Sequence, residues 1–345
     1  MAARSIRNNR GNAMTENWTR EQILKLGSAF WANKILLTAA ELNLFSKLST
    51  GPKTVDELCQ SQGWSERGLG ILLDALAGMG LLNKTEQGCY STAEPVQDWL
   101  ADNGDDSVLP MLLHMAHLWR SWSDLPEIVR GEKVLYGAGT HAWSEKEIDA
   151  FIGAMDVIAR KIADTIVADI VDLARFERLL DLGGGPGTYT AAFLNKNPKM
   201  TATLFDRPNV IEIAKKRLKE KGFINRAQFV EGDYNTDPLP VGHDLVWASA
   251  TIHSNNRDQN RELFKKIYVC LSSEGRVLLR DHFLDKSRTS PLDGAIFAVN
   301  MLAVTQGGNC YTFDEVKEDL ESAGFHDVQM IRQGARMDQI VSSRK

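Results

Sequence analysis

Residues 181–187 read Asp-Leu-Gly-Gly-Gly-Pro-Gly, between the apolar pair Leu179-Leu180 and a helical run at 188–194. A strand, a glycine-rich turn and a helix N-terminus in that order make a nucleotide-binding crevice. Glycines there allow positive φ and let a ligand approach the backbone where a Cβ would stand. The dinucleotide fingerprint Gly-x-Gly-x-x-Gly fails from either start, reaching Thr188 from Gly183 and Thr190 from Gly185. What stands is Asp-x-Gly-x-Gly-x-Gly, with Asp181 ahead of the turn. An acid in that place suits a ligand carrying an ammonium group rather than a pyrophosphate. S-adenosylmethionine (SAM) is such a ligand.

Three further apolar runs end in polar groups. Leu204-Phe205-Asp206 puts Asp206 where a ribose-binding carboxylate sits, at the tip of the second strand. The run through Phe229 and Val230 ends at Asp233-Tyr234, and 244–249 ends at Ser249 with His253 just beyond. Polar groups on successive strand tips are how an open α/β sheet holds a ligand.

The elements that must position these residues follow from the pattern. Strands are expected near 178–182, 201–205, 227–231, 244–249 and 275–281, with helices near 188–195, 209–220 and 257–271. That alternation implies a parallel sheet. A helix from Phe313 to Ala323 and runs at 326–331 and 337–342 close the sheet as an antiparallel hairpin. A long helix over 148–174 is expected to feed the first strand.

The N-terminal part is helical over 15–48 and apolar on more than one face, which requires burial on several sides. A second copy of the chain could supply that burial, or its own domain could. Thr54 to Glu57 is a capping box opening a helix, a second helix follows from Ser65, and Cys89 to Thr92 returns as a strand after a turn at 83–88. This is a winged-helix order. Such modules often read DNA with the second helix. Here Arg67 is opposed by Glu66 and Asp74, against a nucleic-acid role. His114 and His117 share a helix face. That spacing would suit a metal, but no further ligand is in view, so lining a core or a substrate is the simpler expectation. Trp119 and Trp122 are expected at the joint between domains. The expected units are an arm or upstream extension at 1–13, the winged-helix domain at 14–105, a helical linker at 106–147 with a loop at 131–139, and a catalytic domain at 148–345.

The chain has 345 residues and a net charge of −5, which argues against the basic footprint of a nucleic-acid binder. No stretch approaches the roughly 18 apolar residues of a membrane span. Cys59, Cys89, Cys270 and Cys310 are scattered, which indicates neither zinc nor a disulfide framework. A cytoplasmic setting is the expectation.

Taken in order, the winged helix, His-Leu-Trp-Arg-Ser-Trp (117–122), Asp-Leu-Gly-Gly-Gly-Pro-Gly (181–187), Phe-Asp-Arg-Pro-Asn-Val (205–210), Gly-Asp-Tyr (232–234) and Ala-Gly-Phe (323–325) carry a resemblance. The chain resembles SAM-dependent O-methyltransferases of the caffeate and acetylserotonin type, in their bacterial small-molecule branch. The resemblance implies a Rossmann-like class I methyltransferase domain, an α/β fold with a mostly parallel seven-stranded sheet, behind a mainly helical dimerisation domain. It implies a homodimer acting on a small, aromatic acceptor; charge and hydropathy add the expectation of no nucleic acid or membrane partner. By resemblance, Gly183, Gly185 and the Asp181 region line the methionine part of SAM and Asp206 holds the ribose. Asp233 bonds the adenine amine, Tyr234 covers its ring, and Ser249 completes the cofactor set. His253 matches the general base and Asp281 the acid that orients it. Met155 and Met301 match methionines that bracket the acceptor, with Thr305, Cys310 and His117 nearby.

Two departures stand out. The family reads His-Asp-Trp at the base, where this chain has His253-Ser254-Asn255, and a second acid of the family corresponds to Cys310. His282 follows Asp281 and should face the opposite side of its strand. Three alternatives stay open. His253 could instead cap the helix beginning near Asn256. The chain could bind SAM but run C-methylation or hydroxylation. It could also be a winged-helix DNA-binding regulator.

Overall fold

The computed structural model describes residues 18–94, 96–102, 106–133, 144–334 and 337–345. The arm at 1–13, the domain boundary at 105 and most of the loop expected at 131–139 lie outside the described residues.

The first domain is α1 (Arg20–Ser28), α2 (Phe30–Glu41), α3 (Leu44–Ser49), α4 (Val55–Gln62), α5 (Glu66–Gly78), β1 (Leu82–Lys84), β2 (Tyr90–Thr92) and α6 (Val96–Leu100). The capping box at Thr54 and Glu57 forms as expected at the start of α4. The helical run over 15–48 is not continuous. It breaks at Ala29 and again at Asn43, whose φ is +52°. Leu44, Phe45, Leu73 and Leu76 form this domain's core and are fully enclosed. No residue of α1 is buried, and Ile23, Leu24 and Leu26 are exposed together with Phe30 and Trp31 of α2.

Four helices join the domains: α7 (Leu109–Ser123), α8 (Leu125–Val129), α9 (Glu145–Ala159) and α10 (Ala163–Ala168). The single helix expected over 148–174 is broken after Ala159. Tertiary contacts hold the break, since the Arg160 guanidinium donates to the Ser107 carbonyl (2.6 Å) and Lys161 pairs with Asp106 (2.8 Å). Asp172, at φ +60°, precedes a single 3-10 turn (Leu173–Arg175) before the sheet begins. Trp122 donates its indole N–H to Asn300 (2.9 Å), spanning the domains as expected. Trp119 does not. It packs on the first domain's core with Lys34 over its ring.

The second domain runs β3 (Arg178–Leu182), α11 (Thr188–Lys196), β4 (Thr201–Asp206), α12 (Pro208–Glu220), β5 (Ala227–Glu231), β6 (His243–Ser249), α13 (Arg257–Cys270) and β7 (Leu271–Asp281). Then come β8 (Phe283–Leu284), α14 (Leu292–Val304), β9 (Tyr311–Thr312), α15 (Phe313–Ser322), β10 (His326–Arg332) and β11 (Gln339–Arg344). Seven strands form one sheet in the order β10-β11-β7-β6-β3-β4-β5. The five from β7 to β5 are parallel, and β10 and β11 close the β7 edge antiparallel. Apolar side chains alternate to both faces: Leu180, Val246 and Leu279 pack with Phe264, while Leu179, Trp247 and Leu278 pack with Phe193. Burial on both faces is what a parallel sheet covered by helices requires. Because the five strands run the same way, their carboxyl ends share one edge. Among the described residues no helix is long and apolar enough to cross a membrane.

Candidate active site

The glycine turn leaves the carboxyl end of β3. Gly183, Gly185 and Gly187 all have positive φ, between +54° and +75°, a region a side chain would strain. A Cβ at Gly184 would lie 2.6 Å from Leu204, so the turn is pressed onto β4, whereas nothing lies within 4 Å of the Cβ position at Gly185. The turn is thus packed on one side and open on the other. Asp206, at the tip of β4, receives the Gly185 N–H at 2.8 Å and the Arg207 N–H at 2.7 Å. Burial pushes its carboxyl above the usual range, against those two backbone hydrogen bonds. Tyr234 and Thr251 both lie beside Gly183, 3.6 Å and 3.1 Å from where a Cβ would be. Asp233 receives the Asn235 N–H (2.8 Å) and faces Arg207 at 3.5 Å.

Asp181 is buried under the turn and receives the Thr190 hydroxyl. Burial pushes its carboxyl up to about 7; the Thr190 hydrogen bonds oppose this and the nearby Asp206 adds to it. The folded chain therefore holds this proton more tightly than the unfolded one, where Asp titrates near ~3.9. The contribution to stability is full below ~4, declines as pH rises, and is lost above about 7. Asp181→Asn should flatten that part of the melting-temperature profile of the ligand-free protein. An unaltered profile would mean the carboxyl ionises at its ordinary pKa.

The structure brings His253 and Asp281 together. His253 follows β6 in a short 3-10 turn, and its Nδ1 lies 2.8 Å from Asp281 Oδ1 at the tip of β7. Burial raises the Asp281 pKa, but the His253 ring and the hydrogen bonds from His253 and His282 outweigh it and hold the carboxyl below its usual range. An ionised carboxylate only accepts, so Nδ1 carries the proton and Nε2 is the basic atom of the neutral ring. The helix-cap alternative for His253 fails, because Asn256 itself caps α13 with a reciprocal bond from Gln259. The departure at Asn255 has a structural part. Its side chain receives from Asn235 (3.0 Å) and donates to Asn260 (3.2 Å), and its carbonyl receives the Tyr311 hydroxyl.

The loop before β9 closes beneath His253. Asn309 donates its N–H to the His253 carbonyl (2.9 Å), and a Cβ at Gly308 would stand 2.4 Å from that same oxygen. Thr305 donates its hydroxyl to the Met301 carbonyl (2.7 Å) and receives the Gly308 N–H (2.8 Å), so it frames this loop. Cys310 is fully buried, and burial together with the charge of Asp281 pushes its thiol up to about 12. Met301 is buried on α14 and Met155 half-buried on α9. His117 pairs with Glu147 of α9 (2.7 Å), and His114 meets Phe151 ring to ring.

His282 departs from the expected alternation. β7 ends at Asp281, and the His282 ring packs on Phe297 at 4.5 Å, while Phe297 meets His253 edge-on at 4.9 Å. Phe297 was missed in the sequence because α14 is apolar throughout except at Asp293 and Asn300, although Pro291 at its N-cap was a usable start signal. Asp156, next to Met155, was also missed. It receives the Thr188 hydroxyl (2.7 Å) and pairs with Arg217 (2.5 Å), tying α9 to the helix that follows the glycine turn. Arg280 was read as part of a strand. It is buried beside Ser249, to which its guanidinium donates at 3.1 Å.

Residues 122–326 match the O-methyltransferase domain and residues 24–101 the O-methyltransferase dimerisation domain. A tetracenomycin polyketide synthesis 8-O-methyl transferase of Streptomyces glaucescens is 30% identical over 313 residues, spanning 89% of this chain and 91% of that protein. Acetylserotonin O-methyltransferase of Gallus gallus is 29% identical, spanning 96% of this chain and 99% of its own length. Human N-acetylserotonin methyltransferase, solved in complex with SAM, matches with a TM-score of 0.79 at 27% identity, over 96% of this chain and 99% of that one.

Proposed function

The chain belongs to the O-methyltransferase family, and from that premise we propose that it methylates a hydroxyl of a small aromatic molecule, with His253 as general base. The observation that carries this reading is the 2.8 Å contact of His253 with Asp281, beside a glycine turn that is open at Gly185.

Like the family, the enzyme uses S-adenosylmethionine, which when bound supplies an electrophilic methyl group on a sulfonium. The residues present fit that cofactor. The open face of Gly185 admits a ligand against the backbone, Asp206 beside it would take the ribose hydroxyls, and Asp233 with Tyr234 would take the adenine. Gly183, Ser249 and the Asp181 region would line the methionine part.

The remaining chemistry falls to the chain. A phenol of pKa ~10 is a poor nucleophile while protonated, and an imidazole near ~6.5 can take its proton as attack proceeds. Asp281 fixes the tautomer that leaves Nε2 free and supports the imidazolium once formed. Met155 and Met301 would hold the acceptor ring, with Thr305, Cys310 and His117 around it. Holding the hydroxyl in line with the methyl, away from water, is the larger part of the work.

The chain carries the family's dimerisation domain. We infer a homodimer, supported by the exposed apolar residues of α1 and α2, among them Leu26 at 64% and Trp31 at 65%.

The test is a panel of phenols incubated with the enzyme and labelled SAM. The expected product carries one added methyl on oxygen, located by mass and NMR. A methyl found on carbon, or no transfer to any hydroxylated aromatic, would overturn the reading.

A further inference from the structure

Ser249 and Arg280 are register partners on β6 and β7, one row beyond the 248–279 pair that follows Asp181–Trp247 across the sheet. They lie on the face that carries α11, level with the start of the glycine turn. Arg280 is 3% exposed. Its guanidinium reaches over to the Ser249 hydroxyl on β6 and lies over the Tyr189 ring, 5.4 Å from its centre. Tyr189 is the second residue of α11, directly after the turn, and its ring in turn contacts Trp247.

This cluster is rich in donors and short of acceptors. Among the described residues, Arg280 Nε, the Tyr189 hydroxyl and Trp247 Nε1 are all buried without a hydrogen-bond partner. The acids whose charge reaches Arg280 are Asp281 and Asp338, but Asp281 is held by His253 and Asp338 by Arg332. A buried guanidinium whose direct contacts among the described residues are a hydroxyl and a ring is expensive, since an ion taken from water is compensated by an opposite charge and hydrogen bonds. Guanidinium and carboxylate match as a planar pair.

We propose that Arg280, with the Tyr189 hydroxyl, forms a carboxylate-binding site at the β6–β7 tips, serving either the amino-acid tail of the cofactor or an acid group on the acceptor. This rests on the cofactor reading above only for the first of those sources. It adds to that reading a residue that the glycine-turn motif does not include.

Calorimetry on the full-length protein separates the sources. The probes are S-adenosylhomocysteine, its decarboxylated analogue, 3-hydroxybenzoate and the methyl ester of that acid. Losing a charge-assisted hydrogen bond should weaken binding about ten- to a hundredfold. If the cofactor's carboxylate is the ligand, wild type prefers S-adenosylhomocysteine over the decarboxylated analogue by that factor, and Arg280→Met abolishes the preference. If the acceptor's is the ligand, the same pattern is seen with hydroxybenzoate over its ester. Arg280→Lys, which keeps the charge, should retain part of either preference and guards against a variant that fails to fold. Carboxylate preferences equal in wild type and both variants would overturn the proposal. Failure of wild type to bind S-adenosylhomocysteine at all would instead count against the cofactor reading.

Discussion

His253→Ala is expected to lower kcat by about 10²–10⁴-fold, the usual worth of a positioned general base, with the affinity for S-adenosylhomocysteine little changed. Both halves follow from where the ring sits. It is joined to Asp281 at 2.8 Å and packed edge-on against Phe297, on the β6–β7 side of the site. The glycine turn and Asp206, proposed to hold the cofactor, belong to β3 and β4. The variant removes no hydrogen bond from the turn. Single-turnover kinetics and calorimetry check the two halves. A variant that keeps its turnover would show that proximity alone drives transfer, and one that also loses cofactor affinity would show that the site had collapsed. Asp281→Asn should fall between wild type and His253→Ala, because an amide oxygen can still receive the Nδ1–H but gives the imidazolium no charge.

Asp206→Ala should weaken cofactor binding by at least about a hundredfold, as expected when hydrogen bonds from two ribose hydroxyls to a charged group, ~1.5–3 kcal/mol each, are lost. The same carboxylate also receives the Gly185 N–H, so the alanine variant unfastens the turn as well as the sugar. Asp206→Asn distinguishes the two effects. Its oxygen can still receive the Gly185 N–H, so it should retain the turn and lose only part of the affinity. Unchanged calorimetric affinity in Asp206→Ala would rule out the ribose role. A variant with normal melting temperature and lost affinity would support it.

Much of this was legible in the sequence because it is local or periodic. The alternation of strands and helices from 178 to 271 fixed the sheet's direction, and the glycine turn announced its own geometry. What escaped depends on contacts between distant segments. Apart from Asp293 and Asn300 the helix α14 is apolar throughout, so no clear period marked it, and Phe297 stayed invisible with it. The break after Ala159 comes from Arg160 and Lys161 reaching residues more than fifty positions back, which no local propensity reports. Arg280 sits in a run of Val277, Leu278 and Leu279 and reads as the polar end of a strand. Its burial and its hydrogen bond to Ser249 show it turned inward. His282 was misjudged because alternation was carried one residue past the end of β7.

The cramped backbone under the imidazole limits how such an enzyme can diversify. With the Gly308 Cβ position 2.4 Å from the His253 carbonyl, any larger residue there would dislodge the backbone that carries the proposed base. If Met155 and Met301 hold the acceptor as proposed, new acceptor preferences would arise from those helical walls, while the floor stays as it is.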